Sequence, residues 1–130
     1  MDVNDLVDSL RSLGFEVSAA AVDFLERFAF LRLTHEPSLL LHGEREFSWT
    51  LFDPTAVATS RDARTARQCS ALAGKSLCPV GTDGFHFTIY IAGDGTFFAG
   101  RDASLFRYAD SVDDLFRALR VGSRPTRLED

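Results

Sequence analysis

One short segment constrains the fold more than any other part of the chain. Between Phe85 and Ile91, aromatic and aliphatic residues occupy every second position, and this alternation predicts a strand with one face against a core. A Gly93-Asp94-Gly95 turn and a second apolar segment, residues 96–99, follow at once, which is typical of a β-hairpin. We therefore expect antiparallel β-structure in the C-terminal half of the chain.

Other patterns predict helices and further strands along the rest of the chain. Apolar residues recur at helical spacing in three segments, which are residues 3–13, 18–29 and 111–122. An Asp53-Pro54 start signal and a stop at Gly74 predict a further helical region over residues 53–73, with a break near Ser60 as the alternative to one continuous helix. Alternating or continuous apolar runs predict additional strands at residues 31–35, 39–42, 46–52 and 77–81. In the segment 46–52, we expect Phe47, Trp49 and Leu51 to share one face, opposite Ser48 and Thr50. We expect Trp49 to be a core residue, and the alternative is a binding hot spot.

The order of these elements predicts the fold class. The connections between strands are too short for parallel crossovers, which predicts an α+β fold with helices packed against a mainly antiparallel sheet. A chain of 130 residues can enclose one hydrophobic core but not two. We therefore expect a single domain over residues 1–122, followed by a C-terminal tail over residues 123–130.

Charge and cysteine content indicate the cellular environment and the class of ligand to expect. A net charge of −5 at pH 7 argues against direct binding of nucleic acid. The N-terminus is acidic, unlike a secretory signal, and no segment reaches the roughly 20 apolar residues of a membrane-spanning helix. We expect a cytoplasmic protein without membrane contact, in which Cys69 and Cys78 are buried and unpaired. The sequence leaves the oligomeric state open.

No arrangement typical of catalysis, of a cofactor site or of a metal site is present. His35, His42 and His86 form no close ligand pair, and CxxC and GxSxG motifs are absent. The glycines of the hairpin turn precede a strand and lack the spacing of a dinucleotide fingerprint. We therefore predict no catalytic, cofactor-binding or metal-binding residues, and a protein that is not an enzyme.

A series of short segments stands out by its order and spacing over about residues 20–125. The segments are Phe24-Leu25-Glu26-Arg27-Phe28, Asp53-Pro54, Leu77-Cys78-Pro79-Val80-Gly81, Ala92-Gly93-Asp94-Gly95-Thr96-Phe97-Phe98, Tyr108 with Ser111-Val112-Asp113-Asp114-Leu115, and Gly122. Together they resemble the SUKH superfamily of bacterial immunity proteins, most closely its third family. The chain departs from the family pattern at two turns, where Ala29-Phe30 and Ala109-Asp110 occupy positions at which glycine is usual.

The resemblance implies an α+β fold and a binding activity without catalysis. Family members bind and neutralise protein toxins of polymorphic-toxin and contact-dependent competition systems, often nucleases or nucleic-acid deaminases. The expected partner is therefore a cognate protein toxin. An alternative of a different class is a regulatory or scaffolding domain that binds a housekeeping protein, and a toxin gene beside the gene for this chain would distinguish the two.

Acidic residues are unevenly distributed and suggest where a basic partner could bind. Residues 1–60 contain ten Asp and Glu against four Arg, whereas residues 61–130 contain nine Asp and Glu against nine Arg and one Lys. Acids on loops of a rigid scaffold are common binding groups. The alternatives are a solvated surface and, for the aspartates, attraction to a helix N-terminus. The candidate partner-binding residues are Glu36, Glu44, Glu46, Asp110, Asp113 and Asp114.

Overall fold

The computed structural model describes residues 2–35, 48–57, 60–83, 87–101, 104–121 and 126–128. The helices are α1 (Val3–Ser12), α2 (Ala19–Phe28), α3 (Ser60–Ala73) and α4 (Val112–Val121), with a 3₁₀ turn at Pro54–Val57. The strands are β1 (Arg32–His35), β2 (Ser48–Leu51), β3 (Leu77–Asp83), β4 (Phe87–Ala92), β5 (Phe97–Arg101), β6 (Ser104–Ala109) and β7 (Thr126–Leu128).

The described strands form one seven-stranded sheet in which spatial order follows chain order, β1 to β7. Each strand is antiparallel to the next, so the sheet is a continuous meander. The expected α+β fold with an antiparallel sheet is confirmed. The β4–β5 hairpin is closed as predicted, since Gly95 adopts a positive φ of 90° and the Ala92 N–H donates to the Thr96 carbonyl at 2.8 Å.

The two faces of the sheet are covered by different helices. Directly paired residues of antiparallel strands lie on the same face, and one such row crosses all seven strands. Its members are Arg32, Leu51, Thr82, Thr88, Gly100, Leu105 and Leu128. Helix α3 covers this row near its centre, where a Cβ on Gly100 would lie 3.7 Å from the Cys69 sulfur. Toward β1 the row becomes progressively more exposed, ending at Arg32.

The other face of the sheet packs against α2 and α4 through a cluster of phenylalanines. The Phe24 ring centroid lies 5.1 Å from that of Phe52 and 5.1 Å from that of Phe97. Phe28 connects this cluster to α4, with its ring 4.9 Å from Phe116. Phe24, Phe52 and Phe97 are almost fully buried, and each such ring removes a large apolar area from water.

Strand β2 alternates as expected, but Trp49, for which a core position was expected, is only half-buried. Thr50 and Phe52 are completely buried, whereas Trp49 and Leu51 are half-buried on the opposite face. A threonine can lie in the core here because its Oγ1 is 3.4 Å from the Oδ2 of Asp83, which is also buried. Both faces of the segment carry large apolar residues, so alternation alone could not show which face is inside.

Two other expectations concern segments at the margins of the described structure. Strand β1 pairs with β2, while the proposed strand 39–42 lies outside the described residues. Within residues 123–130, for which a tail was expected, Thr126–Leu128 form β7 and pair with β6. The segment therefore contributes an edge strand, and the domain boundary at residue 122 stays a prediction.

Candidate protein-binding surface

The three candidate aspartates lie together at the start of α4, as the sequence predicts. The Ser111 hydroxyl accepts a hydrogen bond of 3.1 Å from the Asp114 N–H and so caps the helix. Asp110 forms an ion pair with Arg107, and the Asp114 carboxylate lies 3.5 Å from the Arg117 guanidinium. Asp113 is exposed.

Arginines balance much of the negative charge of this cluster. Asp110 and Asp114 each have an arginine partner, and Arg120 is exposed in the last turn of α4. Exposed ion pairs of this kind contribute little to stability, but they reduce the net charge that a basic partner would meet. Binding by the cluster stays a prediction.

The other three candidates, Glu36, Glu44 and Glu46, lie outside the described residues. All three belong to the connection between β1 and β2, which runs from residue 36 to residue 47. Strand β1 is the first strand of the sheet. The role of the three glutamates in partner binding stays a prediction.

A feature that sequence reasoning missed lies at the start of that same edge strand. Among the described residues, Phe30 and Leu31 are the exposed large apolar residues, at 44% and 38% exposure. Arg32 follows them, and its guanidinium carbon lies 4.9 Å from the centroid of the half-buried Trp49 ring. Aromatic residues and arginine are enriched at the centres of protein interfaces. We call Phe30, Leu31, Arg32 and Trp49 the edge surface.

The backbone of the edge surface is held in place. Phe30 has a φ of +69°, a left-handed conformation that is unfavourable for a bulky residue. Its N–H donates to the Phe52 carbonyl at 2.8 Å, and the Phe52 N–H donates to the Leu31 carbonyl at 2.9 Å. Both bonds tie the edge surface to a fully buried residue. The one signal in the sequence was Ala29-Phe30 at a turn where glycine is usual.

Comparison with known proteins decides the family. The family model described as SUKH-3 immunity protein matches residues 1–122. The chain belongs to the SUKH-3 immunity protein family. Searches of curated proteins and of solved structures return no match. Membership in SUKH-3 supports an immunity function, and it confirms the resemblance that the ordered motifs predicted.

The thiols of this SUKH-3 protein are unsuited to nucleophilic chemistry. Cys69 and Cys78 are free and buried, as expected. Burial raises the pKa of the Cys78 thiol to about 12 and also raises the pKa of the Cys69 thiol. Because the thiolate is the reactive species, both cysteines stay protonated and inert at neutral pH. They serve as small core residues between the sheet and the helices.

The described parts of this SUKH-3 chain contain no cluster of metal-ligating side chains. No group of three or more His, Cys, Asp or Glu side chains there could hold a metal ion. A cavity of about 170 Å³ lies between the α1–α2 connection and α3, lined by residues such as Phe15, Ala66 and Ser70. None of the helices described is long and apolar enough to cross a membrane.

Proposed function

We propose that this chain is an immunity protein that binds a cognate bacterial toxin directly and neutralises it without catalysis. The observation that carries the proposal is the match of the SUKH-3 immunity protein model to residues 1–122, which is nearly the whole chain. We place this binding in the cytoplasm.

Charge supports a toxin that acts on nucleic acid, such as a nuclease or a deaminase of a polymorphic-toxin system. Enzymes that act on nucleic acid attract the phosphate backbone with basic surfaces. The N-terminal 60 residues of this chain, with ten acidic and four basic side chains, offer the complementary charge. Complementary charge accelerates encounter and improves partner choice.

Co-expression with the toxin domain encoded beside this chain tests the proposal. Cells that express both proteins are expected to survive, and the two proteins should co-elute as a stable complex. The control is a toxin whose active site has been inactivated, which should bind equally well without affecting growth. Survival without a detectable complex would contradict neutralisation by binding. Stable binding to a housekeeping protein instead would favour the scaffolding alternative.

A further inference from the structure

The first two residues of the edge surface combine exposure with an unfavourable backbone. Phe30 is 44% exposed and has a φ of +69°, a conformation in which glycine is favoured. Leu31, next to it, is 38% exposed. The other large apolar residues whose exposure the structure describes are buried or half-buried. The fold of the free protein therefore does not explain why a phenylalanine occupies this turn.

The residues around Phe30 and Leu31 are typical of a binding site that is already formed in the free protein. Two backbone hydrogen bonds to Phe52 hold the turn, so little conformational entropy would be lost when a partner covers it. Arg32 stacks over Trp49 immediately beside the pair. Interface centres commonly consist of rigid aromatic anchors with an adjacent arginine.

We infer that Phe30 and Leu31 are the apolar anchors by which this chain contacts its toxin, with Arg32 and Trp49 as flanking contacts. The inference rests on the proposed function and names the surface that performs it. The partner surface is an apolar pocket on the toxin that is bordered by basic groups. Phe30 and Leu31 fill the pocket, and acidic side chains of the immunity protein face the surrounding basic groups.

The charges near the edge surface favour a basic protein over a second copy of this chain. On and beside the elements that carry the edge surface, the acids Asp23, Glu26 and Asp53 outnumber the arginines Arg27 and Arg32. Asp23 is paired with Arg27, whereas Glu26 is exposed and has no ion-pair partner among the described residues. Asp53 directly follows Phe52, the residue that holds the turn. Its carboxylate accepts hydrogen bonds only from Thr55 in the described structure. A second copy would bring the same acids and a net charge of −5 against themselves, which disfavours association.

The test compares single variants of the whole chain for binding to the toxin domain encoded by the neighbouring gene. Phe30→Gly removes the anchor and suits the positive φ, so its melting temperature should not fall. Leu31→Ser removes the second anchor. Each variant should raise the Kd by at least about tenfold, as is typical of an anchor near an interface centre. Leu128→Ser, the same change at the opposite edge of the sheet, is the matched control and should leave the Kd unchanged.

The outcomes separate this inference from the proposed function. Wild-type binding that both anchor variants weaken, with melting temperatures maintained, supports the inference. Anchor variants that bind as tightly as the wild type would overturn it and leave the immunity function intact. No binding by the wild type would overturn both. Sedimentation that shows a dimer of the free chain, dissociated by Phe30→Gly, would assign the surface to self-association and so contradict it.

Discussion

Gly81 lies directly against the backbone of Leu51: a Cβ on Gly81 would be only 2.5 Å from the Leu51 carbonyl oxygen and 2.9 Å from the Phe52 Cα. The contact is between backbones of neighbouring strands, so no side-chain rotation can relieve it. Gly81 also follows the register shift at Pro79 in β3. The backbones at Gly81 and Leu51 therefore approach so closely that only glycine fits at position 81.

Gly81→Ala should therefore lower the free energy of unfolding by about 1–3 kcal/mol, the usual range when a tightly packed site must expand. Gly93→Ala is the matched control, because its Cβ would meet nothing closer than the Ser18 Cβ at 3.9 Å. The control should change stability by less than about 1 kcal/mol. Urea unfolding followed by circular dichroism measures both. Equal stability of the two variants would show that the strands can separate without loss.

The left-handed backbone at Phe30 predicts an unusual order of stabilities. Phe30→Gly should be more stable than Phe30→Ala by about 1 kcal/mol, because both lose the ring but only glycine accepts a positive φ without strain. Thermal and urea unfolding of the two variants check this. At a position with ordinary helical or extended φ, alanine would be the more stable of the two. That order would contradict the conformation described for Phe30.

The ion pair between Lys75 and Asp94 predicts a small dependence of stability on pH. The Lys75 Nζ lies 2.7 Å from the Asp94 Oδ2. This contact, with a hydrogen bond from the Thr96 N–H, lowers the pKa of Asp94 from 3.8 to about 2. A carboxyl whose pKa is lowered by folding stabilises the protein above its unfolded pKa, and that contribution disappears as pH falls toward 2.

Asp94→Asn should therefore cost about 0.5 kcal/mol at neutral pH, since both side chains are more than one third exposed and water screens the pair. The difference from the wild type should shrink as the pH falls from 4 toward 2. Asp8→Asn, on the exposed side of α1, is the control and should have little effect at any pH. A difference that stays constant from pH 7 to pH 2 would assign the effect to the turn rather than to the charge.

Steering by the acidic half of the chain predicts a rate that depends on salt. Association with the toxin should slow roughly tenfold between low and physiological ionic strength, while dissociation changes less, because salt screens charges at a distance. Stopped-flow mixing over a series of salt concentrations measures both rates. Association that is constant across the series would remove long-range charge from the binding mechanism.

Reversal of Glu44 and Glu46 to lysine tests local contact by the β1–β2 connection. If these acids meet basic groups of the toxin, affinity should fall by ~1–3 kcal/mol. If both acids are exposed on a loop, as the sequence predicts, stability should change by less than about 0.5 kcal/mol. The double reversal of Asp5 and Asp8 changes the net charge equally and is the control. Calorimetry that finds the same affinity loss in both pairs would assign the effect to overall charge.

Local chemistry explains which parts of the fold could be predicted. Ser111 before α4 and Gly95 in the hairpin turn act through their nearest neighbours, so their roles are visible in sequence. Thr50 could not be placed, because its burial depends on Asp83, a residue 33 positions away. Strand β7 lacks a clear apolar pattern, and it forms by pairing with β6.

The candidate binding surface, too, could be predicted from the sequence only in part. The aspartates of α4 could be located because a capping residue marks the start of the helix. Their arginine partners, Arg107 and Arg117, lie only three positions away, yet spacing alone does not show which charges meet. The exposure of Phe30 and Leu31 depends on how α2 leads into β1 and on bonds to Phe52. Tertiary structure alone determines that exposure.

The meander of the sheet has a consequence for the timing of protection. Each strand pairs with its nearest neighbour in the chain, so the sheet can grow in the order in which the ribosome delivers its strands. Contacts between residues close in sequence favour rapid folding, because little loop-closure entropy opposes them. If the chain neutralises a toxin as proposed, it can do so only once it is folded. A sheet whose described strands pair in chain order would then shorten the interval between synthesis and protection.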